Sequence, residues 1–269
     1  MEALSYSQKG LSGSTLKLIA IIAMVIDHIG AALIGRFLMS YGYLDAVMSG
    51  SQEEIATWIS GHSTLYLTYW VIRMIGRVAF PIFCFLLVEG FQRTRHMKKY
   101  VLRLGLFATL SEIPFDLATH SQVLEFTYQN VFFTLFFGLV AMIGYEQICR
   151  PQWFSAKKVD QFAKLLLCVL ILLVCCTAAD FLRTDYGSIG VLCITVLYVF
   201  RRKKPLMIVA GCIAFLWEFT APLAFLPIAF YNGKRGLRLK YVFYLFYPVH
   251  LLILYLTALS LGVAGYPAL

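Results

Sequence analysis

The chain has 269 residues, of which 60% are hydrophobic and 14% charged, and its mean hydropathy is +0.77. Soluble domains carry charge on about a quarter of their residues, so a water-soluble globule is excluded. A single polytopic, all-α membrane domain over 1–269 is expected, with no stretch left for a separate soluble domain. The net charge of +9 does not mark a nucleic-acid binder, because the basic residues fall in short loops between apolar runs.

A bilayer core of ~30 Å needs roughly 20 apolar residues in a helix rising 1.5 Å per residue. On that criterion the chain predicts about nine spans (eight to ten), over 16–38, 65–88, 102–118, 130–148, 164–181, 187–200, 205–217, 220–231 and 241–262. The sixth to eighth are short enough to be tilted, broken or re-entrant. The first is too long and too polar at its centre for a signal peptide and is expected to be retained. With the N-terminus inside, all but Arg36, Arg73, Arg77 and Arg183 of the 23 basic residues lie on the inner side or at inner span ends. That asymmetry predicts a cytoplasmic N-terminus, an outer C-terminus and multi-pass insertion. The outer segment 39–64 carries Asp45, Glu53 and Glu54 and no Lys or Arg. Seven cysteines lie mostly within apolar runs, without metal or disulfide-framework spacing, and read as small hydrophobes.

Within this frame the ionisable residues are the informative ones, since charge in the bilayer core is costly and marks function. Asp27 and His28 sit in the middle of the first span, Arg77 in the second, Glu112 in the third and His250 in the last. Counted from the span ends, His28, Arg77, Glu112 and His250 fall at one depth, which predicts one central polar cavity. Pro81, Pro114 and Pro248 lie near the same depth and are expected to interrupt their helices there. Lys17 precedes His28 by eleven residues, about 1100° of helix, so the two share a face with a rise of about 16 Å. A cation beneath an imidazole suits a long ligand with phosphates at one end and a reactive group at the other. Asp27 points about 100° away from His28 and is expected to pair with Arg77. Arg73 with Arg77, and Glu112 with Asp116, share faces at four-residue spacing.

Glu89-Gly90 followed by Arg93, Arg95, Lys98 and Lys99 closes the second span, where the cations can meet phosphates or anionic lipid. Asn130, Asp180, Asp185 and Glu218 fall near outer span ends, where they could border an acceptor entrance; solvated helix ends are the plainer account of Asp185 and Glu218. His62, His96 and His120 fall in loops. A metal site is not expected: H-E-x-x-H is absent and the acids do not follow the histidines at ligand spacing. A proton-coupled small-molecule transporter could use the same buried Asp, His and Glu residues, and is the alternative to an enzyme.

Several segments together resemble the TraX family of conjugative pilin N-acetyltransferases. They are Leu16–Ala20 with Met24–Gly30, Gly76–Phe85 with Glu89–Phe91, Glu112–Asp116, Asn130–Leu135, Asp185–Gly190, Tyr231–Gly236 and Phe246–Leu251. The first span is also similar to the wider transmembrane acyltransferase group, where a basic residue, ten spacers and a histidine open the fold, as Lys17 and His28 do. That group's Arg-x-x-Arg motif has no counterpart of the same spacing in Arg73/Arg77 or Arg93/Arg95. The resemblance implies an acetyltransferase that uses acetyl-CoA from the cytoplasm. Its acceptor is an amine or hydroxyl at the membrane or outer side, on an exported peptide, pilin or envelope glycan. His28 takes the place of the essential histidine and general base, and Lys17 that of its basic partner. Asp27, Arg77, Glu112 and His250 complete the expected catalytic set. Arg73, Glu89, Arg93, Lys98 and Lys99 join Lys17 as expected CoA contacts.

Overall fold

The computed structural model describes residues 9–150, 158–237 and 240–268, and among them the regular structure is helical, with two isolated β-bridges and no strand. Lys157 and Arg238 of the predicted inner loops lie outside the described residues.

The first helix, α1 (Gly13–Ile29), starts where the Ser12 hydroxyl accepts the amide of Thr15. It passes through one π turn (Gly30–Ile34) into α2 (Gly35–Ser40). Two short outer helices follow, α3 (Tyr43–Met48) and α4 (Gln52–Gly61), and then α5 (Ser63–Gly76) and α6 (Ala79–Arg93). The chain continues through α7 (Met97–His120), α8 (Val131–Ile148), α9 (Lys158–Phe181), α10 (Gly187–Phe200), α11 (Lys204–Ala214), a 3-10 turn (Ala221–Ala224), α12 (Phe225–Ala229) and α13 (Lys240–Ser260).

Among the described residues, four stretches are long and apolar enough to cross a membrane: Gly13–Ser40, Ser63–Arg93, Val131–Ile148 and Asp160–Phe181. Helix α9 carries Leu166, Leu170, Leu173 and Val174 on its exposed surface, as a helix facing acyl chains should. The interior is filled by residues such as Leu16, Phe85, Leu139, Ile194 and Phe215. α1 packs on α5 and α6, α13 on α7, and α8 on α7, α9 and α10.

The two ends of the bundle are tied differently. At one end the N-terminal segment and the segment before α13 hold each other. Leu11 bridges Tyr231, the Gly13 amide donates to the Lys234 carbonyl at 2.8 Å, and Arg93 donates to the Gly233 carbonyl at 2.7 Å. This end collects most of the basic residues. At the other end Arg36, fully buried, donates to the carbonyls of Ala264 and Tyr266 at 2.6 Å, to that of Ala118 at 2.8 Å, and to the Ser121 hydroxyl. One guanidinium there fastens the C-terminal tail and α7 to the first helix.

Two sequence expectations change. The eighth predicted span, 220–231, is a 3-10 turn and a five-residue helix, together too short to cross. Lys204 Nζ lies 2.8 Å from the Tyr231 carbonyl, so α11 and α12 leave and return at the basic end as a hairpin whose tip is Phe215–Thr220. Hydropathy cannot tell two crossings from one such hairpin, because both are apolar. Of the three prolines, Pro81 alone begins a new helix, just after the break at Arg77–Val78; proline suits a first turn because no intrahelical donor is lost there. The helices α7 and α13 run on through Pro114 and Pro248. The one irregularity in the first long helix is the π turn after His28, which proline does not mark.

Candidate functional site

His28 and His250 meet. Nδ1 of His28 lies 2.6 Å from Nε2 of His250, the ring centres are 4.9 Å apart, and the planes differ by 10°. The ring centres are farther apart than the nitrogens by about one ring's width, so the contact runs edge to edge in a shared plane. His250 is buried, and its Nδ1 lies 2.9 Å from the Phe246 carbonyl one turn back on α13. Tyr247 stands edge-on to both rings, 6.0 Å from His28 and 5.5 Å from His250.

Asp27 is held by Arg73, with Nη1 2.5 Å from Oδ2. The expected Asp27–Arg77 pair is not formed, because Arg77 Nε lies 3.0 Å from Glu218 Oε2 at the hairpin tip. The reason is in the packing of α5 on α1. A Cβ on Gly76 would collide with the Asp27 side chain, and one on Gly30 would come within 3.0 Å of Arg73 Cδ and Ile72 Cγ1. Only bare backbone at these two positions lets the helices approach closely, and Arg73, one turn before Arg77, then faces Asp27. The hairpin tip is fixed a second time by the Thr220 hydroxyl, which donates to the Met74 carbonyl at 2.6 Å.

Glu112 lies apart from the histidine pair. It accepts from both the backbone amide and the side-chain amide of Asn130, which is fully buried, caps α8 and also donates to the Ala108 carbonyl at 2.8 Å. The four groups expected in one hollow therefore divide: His28 with His250, Arg77 with Glu218, Glu112 with Asn130. Equal depth along separate helices does not fix which way each side chain points.

The loop before α10 reaches inward. Arg183 and Tyr186 have positive φ, 51° and 68°, a conformation that side chains other than glycine adopt at a cost of about 1–3 kcal/mol. The loop holds it through the Tyr186 ring, stacked parallel on Phe80 at 3.7 Å, through the hydroxyl of Thr134 on the Asp185 carbonyl, and through the Gln129 carbonyl on the Asp185 amide. Asp185 accepts from the Tyr128 hydroxyl at 2.7 Å. Burial pushes its carboxyl up to about 6, against the lowering effect of that hydroxyl.

A cavity of about 310 Å³ opens near the basic end. Lys17, Glu89, Arg93, Arg103 and Arg235 line it, with Tyr100, Tyr231 and Tyr244; Met24, Phe132 and Tyr247 line it as well. Met24 is one turn before His28, and Tyr247 touches both histidines, so the cavity reaches the wall of the imidazole pair. His28, His250, Arg77 and Glu112 do not line it. Of the expected CoA contacts, Lys17, Glu89 and Arg93 line this space, with Glu89 and Arg93 paired at 2.8 Å. Arg73 belongs to Asp27, and Lys98 and Lys99 are exposed outside the cavity.

Sequence reasoning passed over Arg103, Arg235 and Arg36, and it read Asp185 and Glu218 as solvated helix ends, whereas Glu218 pairs with Arg77 and Asp185 accepts from Tyr128. Arg103 carries its guanidinium 5.5 Å from the Tyr100 ring centre and 5.3 Å from that of Tyr244, and its three-residue spacing from Tyr100 was the available signal. Arg36 lies in the same apolar run as His28, so the rule that flagged the histidine applied to it equally. For Glu218 and Asp185 no local pattern was available, since each is brought inward by a hairpin or a loop.

A chain whose described residues are helical, with four stretches fit to cross a bilayer, around half-buried ion pairs and an imidazole pair is a helical membrane protein. The sequence model of the TraX protein family matches residues 12–258, and the chain belongs to that family. It is also similar to a protein described as probable fimbrial assembly protein FimC, serogroup H1, of Dichelobacter nodosus. The two are 30% identical over an alignment of 266 residues including gaps, and the match covers 90% of this chain and 94% of that one. No solved structure matches significantly.

Proposed function

We propose that this protein is a membrane-embedded acetyltransferase that takes its acetyl group from cytoplasmic acetyl-CoA. The acceptor is an amine or hydroxyl at the membrane or the outer side, on an exported peptide such as a pilin or on an envelope glycan. The observation that carries the reading is the cavity that begins among Lys17, Arg93, Arg103 and Arg235 and ends at Met24, Phe132 and Tyr247, against the His28–His250 pair. Its cations match the phosphates of CoA, its tyrosine faces match a purine ring, and its apolar part matches a pantetheine arm. The similarity to a fimbrial assembly protein supports a pilin-like acceptor.

In this reading the basic end faces the cytoplasm, in line with the positive-inside rule. The chain then crosses through α1–α2, α5–α6, α7, α8, α9, α10 and α13, while α11–α12 enters and returns. That arrangement keeps the N-terminus inside and the C-terminus outside, in the cytoplasmic membrane of a bacterium.

His28 acts as general base, because imidazole can take and return a proton near neutral pH. It accepts the acceptor's proton while the acceptor nitrogen or oxygen bonds to the thioester carbonyl carbon. The carbon–sulfur bond then breaks, and the departing CoA thiolate recovers the proton from His28. Asp27 and Arg73 brace the turn of α1 that carries His28, Arg77 and Glu218 hold the hairpin tip beside it, and Glu112 ties α7 to α8.

Purified protein incubated with acetyl-labelled CoA and a membrane extract should move the label to a membrane or exported component. The His28→Ala variant should leave it on CoA. Label that stays on CoA with the folded wild-type protein, across extracts rich in pilin and in glycan, rejects the reading.

A further inference from the structure

We propose that His250 is a positioning residue that fixes which nitrogen of His28 is basic. This rests on His28 as the general base for its consequence, but the geometry stands by itself. The Phe246 carbonyl can only accept, so the His250 Nδ1 that lies 2.9 Å from it carries the hydrogen. A neutral imidazole has one N–H, which leaves the His250 Nε2 with a lone pair aimed at His28 Nδ1, 2.6 Å away. His28 Nδ1 must then donate, and the basic lone pair of His28 falls on its Nε2. Among the described residues no protein group bonds to that Nε2.

The chain carbonyl–His250–His28 thus does for this imidazole what a carboxylate does in a catalytic triad: it selects the tautomer and orients the ring. When Nε2 of His28 takes a proton, the resulting imidazolium still donates from Nδ1 to His250, so the charge finds an acceptor already in place. The in-plane arrangement, with 10° between the rings, and the parallel Phe246 ring 5.1 Å from His250 hold the second imidazole where it can accept. Helix geometry supplies the carbonyl without a further side chain, since Phe246 and His250 are four residues apart on α13.

Protein labelled with ¹⁵N at histidine, in lipid nanodiscs, tests this directly, with the His28 signals assigned by their loss in His28→Asn. The wild type should show neutral His28 protonated at Nδ1 and unprotonated at Nε2. In His250→Ala, His28 should shift toward the Nε2-protonated form that free imidazole side chains favour. His250→Gln retains an acceptor oxygen and should keep the Nδ1-protonated form. In turnover, His250→Ala should lower kcat by about 10²–10³-fold with the KM for acetyl-CoA unchanged, and His250→Gln should recover most of that loss. A wild-type His28 protonated at Nε2 overturns the proposal whatever the activity, as does equal kcat in His250→Ala and wild type. If no acceptor is ever acetylated but His28 carries its proton on Nδ1 in a His250-dependent way, the positioning holds and the acetyltransferase reading fails.

Discussion

Arg77 on the short link between α5 and α6 and Glu218 at the tip of the α11–α12 hairpin form an ion pair at 3.0 Å. The pair joins a hairpin that enters and leaves at one end of the bundle to a break in another helix. Its side chains are only 27% and 18% exposed, so removing one partner leaves the other poorly solvated. Arg77→Gln or Glu218→Gln should each destabilise the protein by about 1–3 kcal/mol, between the values for exposed and buried pairs. The double substitution should cost less than the sum of the singles. Thermal unfolding in detergent reads this coupling, and strictly additive losses would mean the pair contributes nothing.

Arg36 makes a larger demand. Its guanidinium satisfies carbonyls of Ala118, Ala264 and Tyr266 in a place with no water access. Arg36→Met should cost about 3–5 kcal/mol and release the C-terminal tail to protease, because several buried acceptors lose their donor at once. Arg36→Lys should fail to rescue, since one ammonium cannot fork toward both the tail and α7. Full stability in Arg36→Lys would show that charge alone matters.

Gly76 sits where any side chain would strike Asp27. Gly76→Val should force α5 away from α1, at about 1–3 kcal/mol for overpacking, and break the Asp27–Arg73 pair. If His28 depends on that brace, acetyl transfer should fall with it. The same change at Gly61, which has nothing within 4 Å, should leave both stability and turnover unaltered.

Asp185 supplies a pH signature. Its carboxyl is raised to about 6 by burial from the ordinary 3.8, so ionising it in the folded state is unfavourable. Stability from this group is fully present below pH ~4 and is lost as pH rises through about 6. The difference in Tm between Asp185→Asn and wild type should therefore change across that window, with the variant gaining on the wild type as pH rises. A difference that stays flat from pH 4 to 7 would contradict it.

Much of the fold was legible because long apolar helices announce themselves by length and apolarity: the predicted spans 16–38, 65–88, 130–148 and 164–181 fall on the four described stretches long enough to cross a membrane, and 187–200 coincides with α10. The histidine pair was half legible: depth put His28 and His250 at one level, but only the packing of α13 on α7 and α1 brought Nδ1 and Nε2 together. The choice of Arg73 over Arg77 for Asp27 was not legible, because it turns on two glycines whose value lies in the side chains they lack. Arg103 was hidden among loop cations that serve orientation, and what separates it from Lys98 and Lys99 is the cavity it lines.

That separation is testable. Arg103→Ala and Arg235→Ala should each weaken CoA binding about tenfold, roughly one charge-assisted hydrogen bond, while Lys98→Ala and Lys99→Ala should bind as the wild type does. Calorimetry with CoA in nanodiscs measures it. Equal losses at all four positions would put the phosphates on the loop surface instead.

The most direct measurement is single-turnover acetyl transfer in proteoliposomes supplied with acetyl-CoA at the basic end and with pilin-like peptide or envelope glycan as acceptor. Wild-type protein should acetylate one acceptor per turnover with release of free CoA, and folded His28→Ala, still binding CoA, should release none above background. Undiminished transfer by His28→Ala would contradict the account at its centre.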